Sequence, residues 1–390
     1  MAIDKFELSA YKGIWEDKSV VTSILQDPFL IKANFTFWRD WFNVDPNITE
    51  TNAEGEAVFT SRMRKLDAGY LMDMRAPLGD SVPEDAKGME AYQGTIQEFI
   101  SKGYFENAEM RDHKRRLFAQ IGDDALIKRF AVDVLQPRLD SANQTLSHMG
   151  AQLMSTGKII YNAGVGMKGS ILKAAIPAEN FLKAGAKVWN ASDATILDYM
   201  RQKQQEAYEV AGVEFAGQWL ITRKQFENVF LKNAQIIKLI QDGFLMDSGQ
   251  IGVGTNNLTP LVINEQNFNK YVAMVQGLAP IKIIDERQKD YVKGTVNGWK
   301  DGIAVFCPVG KVGLIRRTNI ADTRLFSAEY INSNVTFNFA SVLDGCAFVR
   351  NSVVPNGLLK EWHTDVVLAA TPSLDEFLYH FIVDTTEADA

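Results

Sequence analysis

From Asp123 to Met154 the chain reads DDALIKRFAVDVLQPRLDSANQTLSHMGAQLM, which sets Leu126, Phe130, Val134, Leu139, Ala142, Leu146, Met149 and Leu153 three to five residues apart. An α-helix turns once every ~3.6 residues, so this spacing gathers the apolar groups into one stripe and predicts a long amphipathic helix. Asp123 or Asp124, after Gly122, supplies a capping side chain at its start, and Gly157 follows its end. About thirty residues at ~1.5 Å each make a rod of roughly 45 Å. Pro137 removes one backbone donor part-way along, which predicts a bend there.

Upstream of this rod the pattern is of another kind. Residues 1 to 50 scatter large apolar groups among polar turns and end in the aromatic cluster Phe35, Phe37, Trp38, Trp41 and Phe42, with no sustained period. Such a stretch reads as an arm that lies on something else. Ala57 to Arg75 (AVFTSRMRKLDAGYLMDMR) and Tyr92 to Ile100 (YQGTIQEFI) read as two extended segments. They flank a polar tip marked by proline and glycine, Ala76 to Gly88 (APLGDSVPEDAKG). Two strands cannot bury a hydrophobic face between them, so something outside this hairpin has to order it. A shorter helical piece is expected around Asn107 to Gln120.

Downstream, Lys158 onward turns strand-like (KIIYNAGVG, then SILKAAIP), and VWNASDATILDYM leads into a helix expected over Asp193 to Val210 with Ser192 as cap. QWLIT, a strand, is followed by the helical RKQFENVFLKN and by a second helical pattern from Ala234 to Leu245. Short β segments then dominate: LTPLVI, IKIID, YVKGTV, IAVFCPVG, KVGLIRRT, VTFNFA, CAFVRNSVV, DVVLAATP and EFLYHFIVD. One long helix, a compact mixed region and extended N-terminal segments predict an α+β fold.

Composition narrows the function classes. With 390 residues, 46% apolar and 23% charged, the chain is an ordinary globular sequence of two to three domains with no run of the ~18 to 20 apolar residues that a membrane span needs. Met1 to Tyr11 carries Asp4, Lys5 and Glu7 where a signal peptide would be apolar, so the protein is expected to stay in the compartment where it is made. Cys307 and Cys346 lie in apolar, strand-like surroundings without a partner at metal-ligand spacing and read as inert buried thiols. The net charge is −7, and seven acidic residues with no Lys or Arg run from Glu361 to the end. That argues against a sequence-reading or wrapping nucleic-acid binder, which shows a basic face, and leaves room for a container for DNA, since a like-charged wall does not stick to phosphate; a solvated acidic tail is the plainer alternative.

Candidate chemistry is thin. NAGVGMKGS (Asn162 to Ser170) has Gly164 and Gly169 at the spacing of a phosphate loop, but Ser170 stands where Lys is needed and a strand follows in place of a helix. IGVGTNN and PVGKVG read as glycine turns. His113, His148, His363 and His380 show no metal spacing; His113 and His148 are expected on solvated faces, while His380, with Asp375 and Glu376 upstream, is the one conceivable acid/base couple. No catalytic residue, cofactor or metal is assigned.

Three stretches resemble the major capsid proteins of tailed bacteriophages, above all the group that includes the lambda capsid protein. Trp189-Asn-Ala-Ser-Asp-Ala-Thr-Ile-Leu-Asp198 is similar to that family's entry into its first A-domain helix. Asp301-Gly-Ile-Ala-Val-Phe-Cys-Pro-Val-Gly310 with Lys311-Val-Gly313 is similar to its D-G … P-x-G … G hairpin, and Thr371-Pro-Ser-Leu-Asp-Glu-Phe377 resembles the P-x-x-D-E-F turn of its closing segment. The resemblance implies the HK97-type capsid fold, with an N-terminal arm (1–56), an extended hairpin or E-loop (57–101), a P-domain with the spine helix (102–192), an A-domain (193–349) and a closing return to the P-domain sheet (350–390). It further implies a non-enzymatic subunit that assembles as pentamers and hexamers into an icosahedral capsid around double-stranded DNA in the virion, made in the host bacterial cytoplasm. Expected partners are its own copies, a separate scaffolding protein, a portal and decoration proteins. A Lys–Asn cross-linking pair is not assignable.

The same conclusion has a physical basis. A loop of ~40 residues without its own core usually marks a partner-bound segment, and an exposed hairpin edge invites another chain. Arg62, Arg64 and Lys65 on the first strand, Asp80, Glu84, Asp85 and Lys87 at the tip, and Trp38 and Trp41 in the arm are the candidate inter-subunit contacts. The alternatives are an encapsulin-like compartment shell, another phage structural part such as a tail-tube subunit, and an enzyme with a distributed site.

Overall fold

The computed structural model describes residues 37–52, 55–63, 90–107, 109–110, 131–162, 169–191, 193–247, 264–273, 277–285, 287–290, 294–320, 336–356 and 359–389. A short helix α1 (Phe37–Trp41) runs straight into β1 (Phe42–Thr49). The strands β2 (Ala57–Met63) and β3 (Glu90–Ile96) pair antiparallel from Ala57↔Ile96 to Met63↔Glu90, which is the root of the expected hairpin. Next come β4 (Glu98–Ile100) and β5 (Tyr104–Glu106).

The long helix is α2 (Gln136–Thr156), entered through a π-helical turn over Ala131–Leu135; its expected start at Asp123 lies outside the described residues. Pro137 sits in the first turn of α2, where a missing N–H costs little, so the expected mid-helix bend is replaced by a change of helix type at its entrance. The Arg138 guanidinium picks up carbonyls at this junction, donating to Val134 and, at 3.2 Å, to Thr364 on a distant strand. The predicted stripe is the buried one: Leu139, Ala142, Leu146, Met149 and Leu153 all face the core. Complete burial of Leu146 and Leu153 contributes roughly 2 kcal/mol or more each. Gly157 ends the helix in the left-handed conformation, φ 68°, its N–H donating to Leu153 O at 2.8 Å.

Past the helix, β6 (Lys158–Tyr161) and β7 (Ser170–Lys173) pair antiparallel, so a strand does follow the glycine-rich stretch, of which 163–168 lie outside the described residues. Then come β8 (Phe181–Lys183), α3 (Ile196–Ala211), β9 (Gly217–Thr222), α4 (Arg223–Asn228), α5 (Ala234–Asp247) and α6 (Glu265–Phe268). Helix α3 begins three residues later than predicted: Ser192 lies outside the described residues, Asp193 pairs with Lys187 ahead of the helix, and Thr195 takes the cap position. In α4, by contrast, Thr222 and Gln225 form a capping box. The remaining strands are β10 (Ile281–Ile284), β11 (Gln288–Asp290), β12 (Gly294–Val296), β13 (Ile303–Pro308), β14 (Gly313–Thr318), β15 (Thr336–Val342), β16 (Ala347–Asn356), β17 (Leu359–Leu374) and β18 (Phe381–Asp384). The predicted strand LTPLVI lies outside the described residues.

Two sheets organise the subunit. The larger has seven strands in the order β1-β14-β17-β16-β15, with β4 and β5 both on β17; the smaller has five, β10-β9-β13-β18-β8. The smaller sheet separates two cores. Ile303, Val305 and Cys307 of β13, with Leu220 of β9 and Ile382 of β18, join the core around α2. Their neighbours Ala304, Phe306, Trp219, Ile221, Phe381 and Val383 join the core under α3 and α4. Alternate residues of a strand point to opposite faces, so a sheet covered on both sides needs unbroken apolar runs, which is why IAVFC reads as it does.

Sheet membership divides the chain differently from the blocks expected in sequence. Strands β14, β15 and β16 belong with β17 in the large sheet, and β18, expected to return beside β17, pairs with β13 and β8 in the small one. The acidic closing segment is folded rather than solvated. Asp365 takes Arg350 at 2.8 Å, Glu387 takes Lys183, and Asp389 takes the buried Lys203 at 2.9 Å.

Candidate assembly site at the hairpin root

Among the described residues β2 and β3 form a two-stranded sheet of their own, with one further bridge from Ala57 back to Thr51, so what orients the hairpin lies at its root. Ser61 on β2 and Tyr92 on β3 point down onto the turn after β17. The Ser61 hydroxyl donates to Asp375 Oδ1 at 2.5 Å and reaches Leu374 O at 3.1 Å. The Tyr92 hydroxyl donates to Leu374 O at 3.0 Å and accepts the Leu374 N–H at 2.8 Å. Burial, reinforced by the Asp375 charge, pushes the Tyr92 phenol well above its ordinary range, so it stays a neutral donor. Phe59 and Phe377 flank it edge-on at 6.2 and 5.5 Å.

One cation ties this turn to the rest of the large sheet. Arg316 on β14 donates to Asp45 of β1 at 2.6 Å, to Asp375 at 2.9 Å and to Ser373 Oγ at 3.0 Å. Its side chain is 15% exposed and that of Asp45 8%. Burial works against its charge, but Asp375 and Asp45 more than offset that and raise its pKa. Beside it, Arg317 donates to the carbonyls of Asp45, Pro46 and Asp344. Arm, hairpin, β14 and the β17 turn therefore meet at a single polar knot inside the subunit. Its centre is the Asp375 of the P-x-x-D-E-F motif, a role that sequence reasoning missed because Ser61 and Arg316, its strongest partners, lie far away in the chain.

Of the predicted contact residues, Arg62 is exposed on β2. Arg64, Lys65, Asp80, Glu84, Asp85 and Lys87 lie outside the described residues. Trp38 and Trp41 face inward, 1% and 2% exposed, and are corrected from contact candidates to core residues of the subunit itself. Trp38 Nε1 donates to Asn143 Oδ1 of α2 at 3.0 Å, the Lys282 ammonium sits 4.3 Å from the Trp41 ring centre, and Phe42 packs against Gly150. The arm's aromatic cluster does lie on something else, and that is its own long helix. Asn143 and Gly150, a polar and a small residue inside an apolar stripe, were the available signal.

The groups weighed for chemistry are structural. Cys307 and Cys346 are buried, and burial pushes both thiols up to about 12. His380 is fully buried against Met154 O at 2.6 Å rather than coupled to Asp375 or Glu376. His148 is half-buried, its Nδ1 3.3 Å from Gln288 Oε1, where a solvated face was expected. His113 lies outside the described residues. A cleft of about 420 Å³ beside Trp299 is lined by charges that pair among themselves, Arg223 with Asp285 and Lys224 with Asp301. Among the described residues no group of His, Cys, Asp and Glu is placed to hold a metal.

No family model and no curated protein matches the sequence. Solved structures do resemble the fold. A prophage protein of Escherichia coli CFT073, described as a capsid protein, aligns with TM-score 0.52 at 11% identity, over 94% of this chain and 98% of its own. A phage-related protein from Bordetella bronchiseptica RB50 aligns with TM-score 0.46 at 12% identity, over 94% and 96%, and the mature capsid of bacteriophage PhiM1 with 0.44 at 11%, over 90% and 86%. The alignment with the prophage protein spans nearly the whole of both chains, and the chain has the α+β HK97-type fold.

Proposed function

We propose that this chain is the major capsid protein of a tailed bacteriophage, a non-enzymatic subunit whose copies close into an icosahedral shell of pentamers and hexamers around double-stranded DNA. The observation that carries this reading is the β2–β3 hairpin, anchored at its root and without any further strand on either edge among the described residues. An open edge fixed in direction is a template for another chain, and copies that lend one another such edges make head-to-tail contacts that close into rings. The fold likeness supports it, and the −7 net charge suits a wall that must not bind the phosphates it encloses. The reading places the protein in the virion after assembly in the host cytoplasm, with a separate scaffolding protein, a portal and decoration proteins as partners. Among the described residues no helix is long and apolar enough to cross a membrane.

Deletion of Ala76 to Gly88 is the test. The root contacts of Ser61 and Tyr92 remain, so the variant should fold and melt like the parent yet stay as lone subunits by size-exclusion chromatography and negative-stain microscopy. Normal shells from the deletion refute the role. Particles that carry a co-purifying enzyme in place of DNA would assign an encapsulin-like compartment, and saturable turnover by a small species would assign an enzyme.

A further inference from the structure

Between β15 and β16 the backbone turns with the hand opposite to the usual one. Leu343, Asp344 and Gly345 stand at φ 51°, 57° and 87°, in the left-handed region, and Leu343 and Asp344 are the two non-glycine residues found there among the described residues. A side chain in that region crowds the following carbonyl oxygen, and leucine has no polar atom with which to compensate. Val342 pairs with Ala347, so the loop holds four residues, and within it the Cys346 N–H donates back to Leu343 O at 3.0 Å. Leu-Asp-Gly also fits a commoner loop, a type I turn that is right-handed at Leu343 and Asp344 and is closed by a left-handed glycine. That loop has three residues. Adopting it would move the pairing of β15 on β16 by one position.

What holds the rarer form comes from the arm. Arg39 of α1 pairs with the Asp344 carboxylate at 3.0 Å. Arg317 of β14 spreads its fork over both elements, donating to the Asp45 and Pro46 carbonyls of β1 at 2.9 and 2.8 Å and to the Asp344 carbonyl at 2.6 Å. β1 breaks its register on β14 between Val44 and Ile48, and the carbonyls inside that break are the ones Arg317 takes. A Cβ on Gly345 would collide with the same guanidinium, so the turn and the arginine fit closely together. We propose that the β15–β16 turn is a strained latch. The seated arm, through Arg39 and Arg317, holds it left-handed, and loss of that hold lets it relax to the right-handed loop and slip β15 by one residue. Strands β1 and β15 stand at opposite ends of the large sheet's path, so the arm at one end sets the register of the strand at the other. The coupling is reciprocal, and whatever fixes β15 in its present register also favours the seated arm. The device belongs to the single subunit and stands whether or not copies assemble.

A disulfide trap in the full chain tests this. Ser341 faces Phe348 across the ladder, so Ser341→Cys and Ala347→Cys, made in a chain carrying Cys346→Ala, point to opposite faces and meet only after the slip. The rate at which the bridge closes under mild oxidation then follows the slipped fraction. Closure should be slow in that chain and about threefold faster on adding Arg39→Ala, the loss of one exposed pair. Adding Arg317→Lys instead, which keeps the charge but not the fork, should speed closure by about tenfold or more. Asp344→Gly admits the left-handed backbone without crowding, so adding it should return each variant to the starting rate. Arg39 is a half-exposed surface position, so Arg39→Ala carries the test if Arg317→Lys does not fold. Unchanged closure with Arg39→Ala overturns the arm's hold on the turn. Acceleration that Asp344→Gly does not reverse overturns strain as its cause, and fast closure in the starting chain overturns the left-handed turn as the stable form.

Discussion

His380 lies at complete burial with Nε2 donating to the Met154 carbonyl, and its Nδ1 meets no partner among the described residues. Burial lowers its pKa from 6.5 to about 4, the carbonyl opposing the shift. The unfolded chain therefore binds a proton more readily than the folded one between those values, and the stability present above pH 6.5 is lost as pH falls towards 4. Over the full window the loss is about 3 kcal/mol, and it is read most cleanly between pH 6.5 and 5, before most carboxylates titrate. Chemical denaturation across that range should show a shallower slope for His380→Gln than for the parent; equal slopes would contradict the buried neutral imidazole. A second residue-scale expectation concerns Arg316. Arg316→Met leaves Asp45 and Asp375 facing each other with little water and should lower subunit stability by about 3 kcal/mol, measured by urea denaturation. The identities of these residues were plain in the sequence, but their roles were not. Asp45 and Arg316, or Trp38 and Asn143, are brought together only by long-range packing and leave no periodic signature.

At the scale of elements, patterns repeating over several turns or strands were legible. The stripe from Leu139 to Leu153 is buried as its spacing required, and QWLIT, IKIID and IAVFCPVG are strands. A boundary fared less well at α3, which was expected from Asp193 and starts at Ile196. Gly313, which closes the sequence motif around β13, shows what a motif glycine does. It pairs with Leu374 on β17, and a Cβ there would stand 1.9 Å from the Ser373 carbonyl oxygen, a backbone atom that cannot step aside. Gly313→Ala should therefore cost more than about 2 kcal/mol and loosen the β14–β17 pairing that carries the polar knot. Amide exchange on Asp375 and Glu376, whose N–H groups donate to the Val312 carbonyl next to Gly313, should accelerate in the variant; unchanged protection would show that the strands can part without loss.

For the whole molecule, the sequence reading expected an α+β fold, and the described residues form two main sheets with helices packed on them. It assigned the closing strands to one sheet when β17 and β18 serve two, because strand partners in an α+β fold are chosen across hundreds of residues and not by neighbours in the chain. It also expected the arm's aromatic cluster to be ordered by another subunit, whereas Trp38, Trp41 and Phe42 already belong to the core around α2. Under the proposed shell reading, the need for sister copies falls on the β2–β3 hairpin, which joins no larger sheet among the described residues. Negative-stain microscopy of the full chain, purified with and without a co-expressed scaffolding protein, tests that need most directly. Closed, round particles of uniform size are predicted, and a population that stays as lone subunits under both conditions would contradict the account.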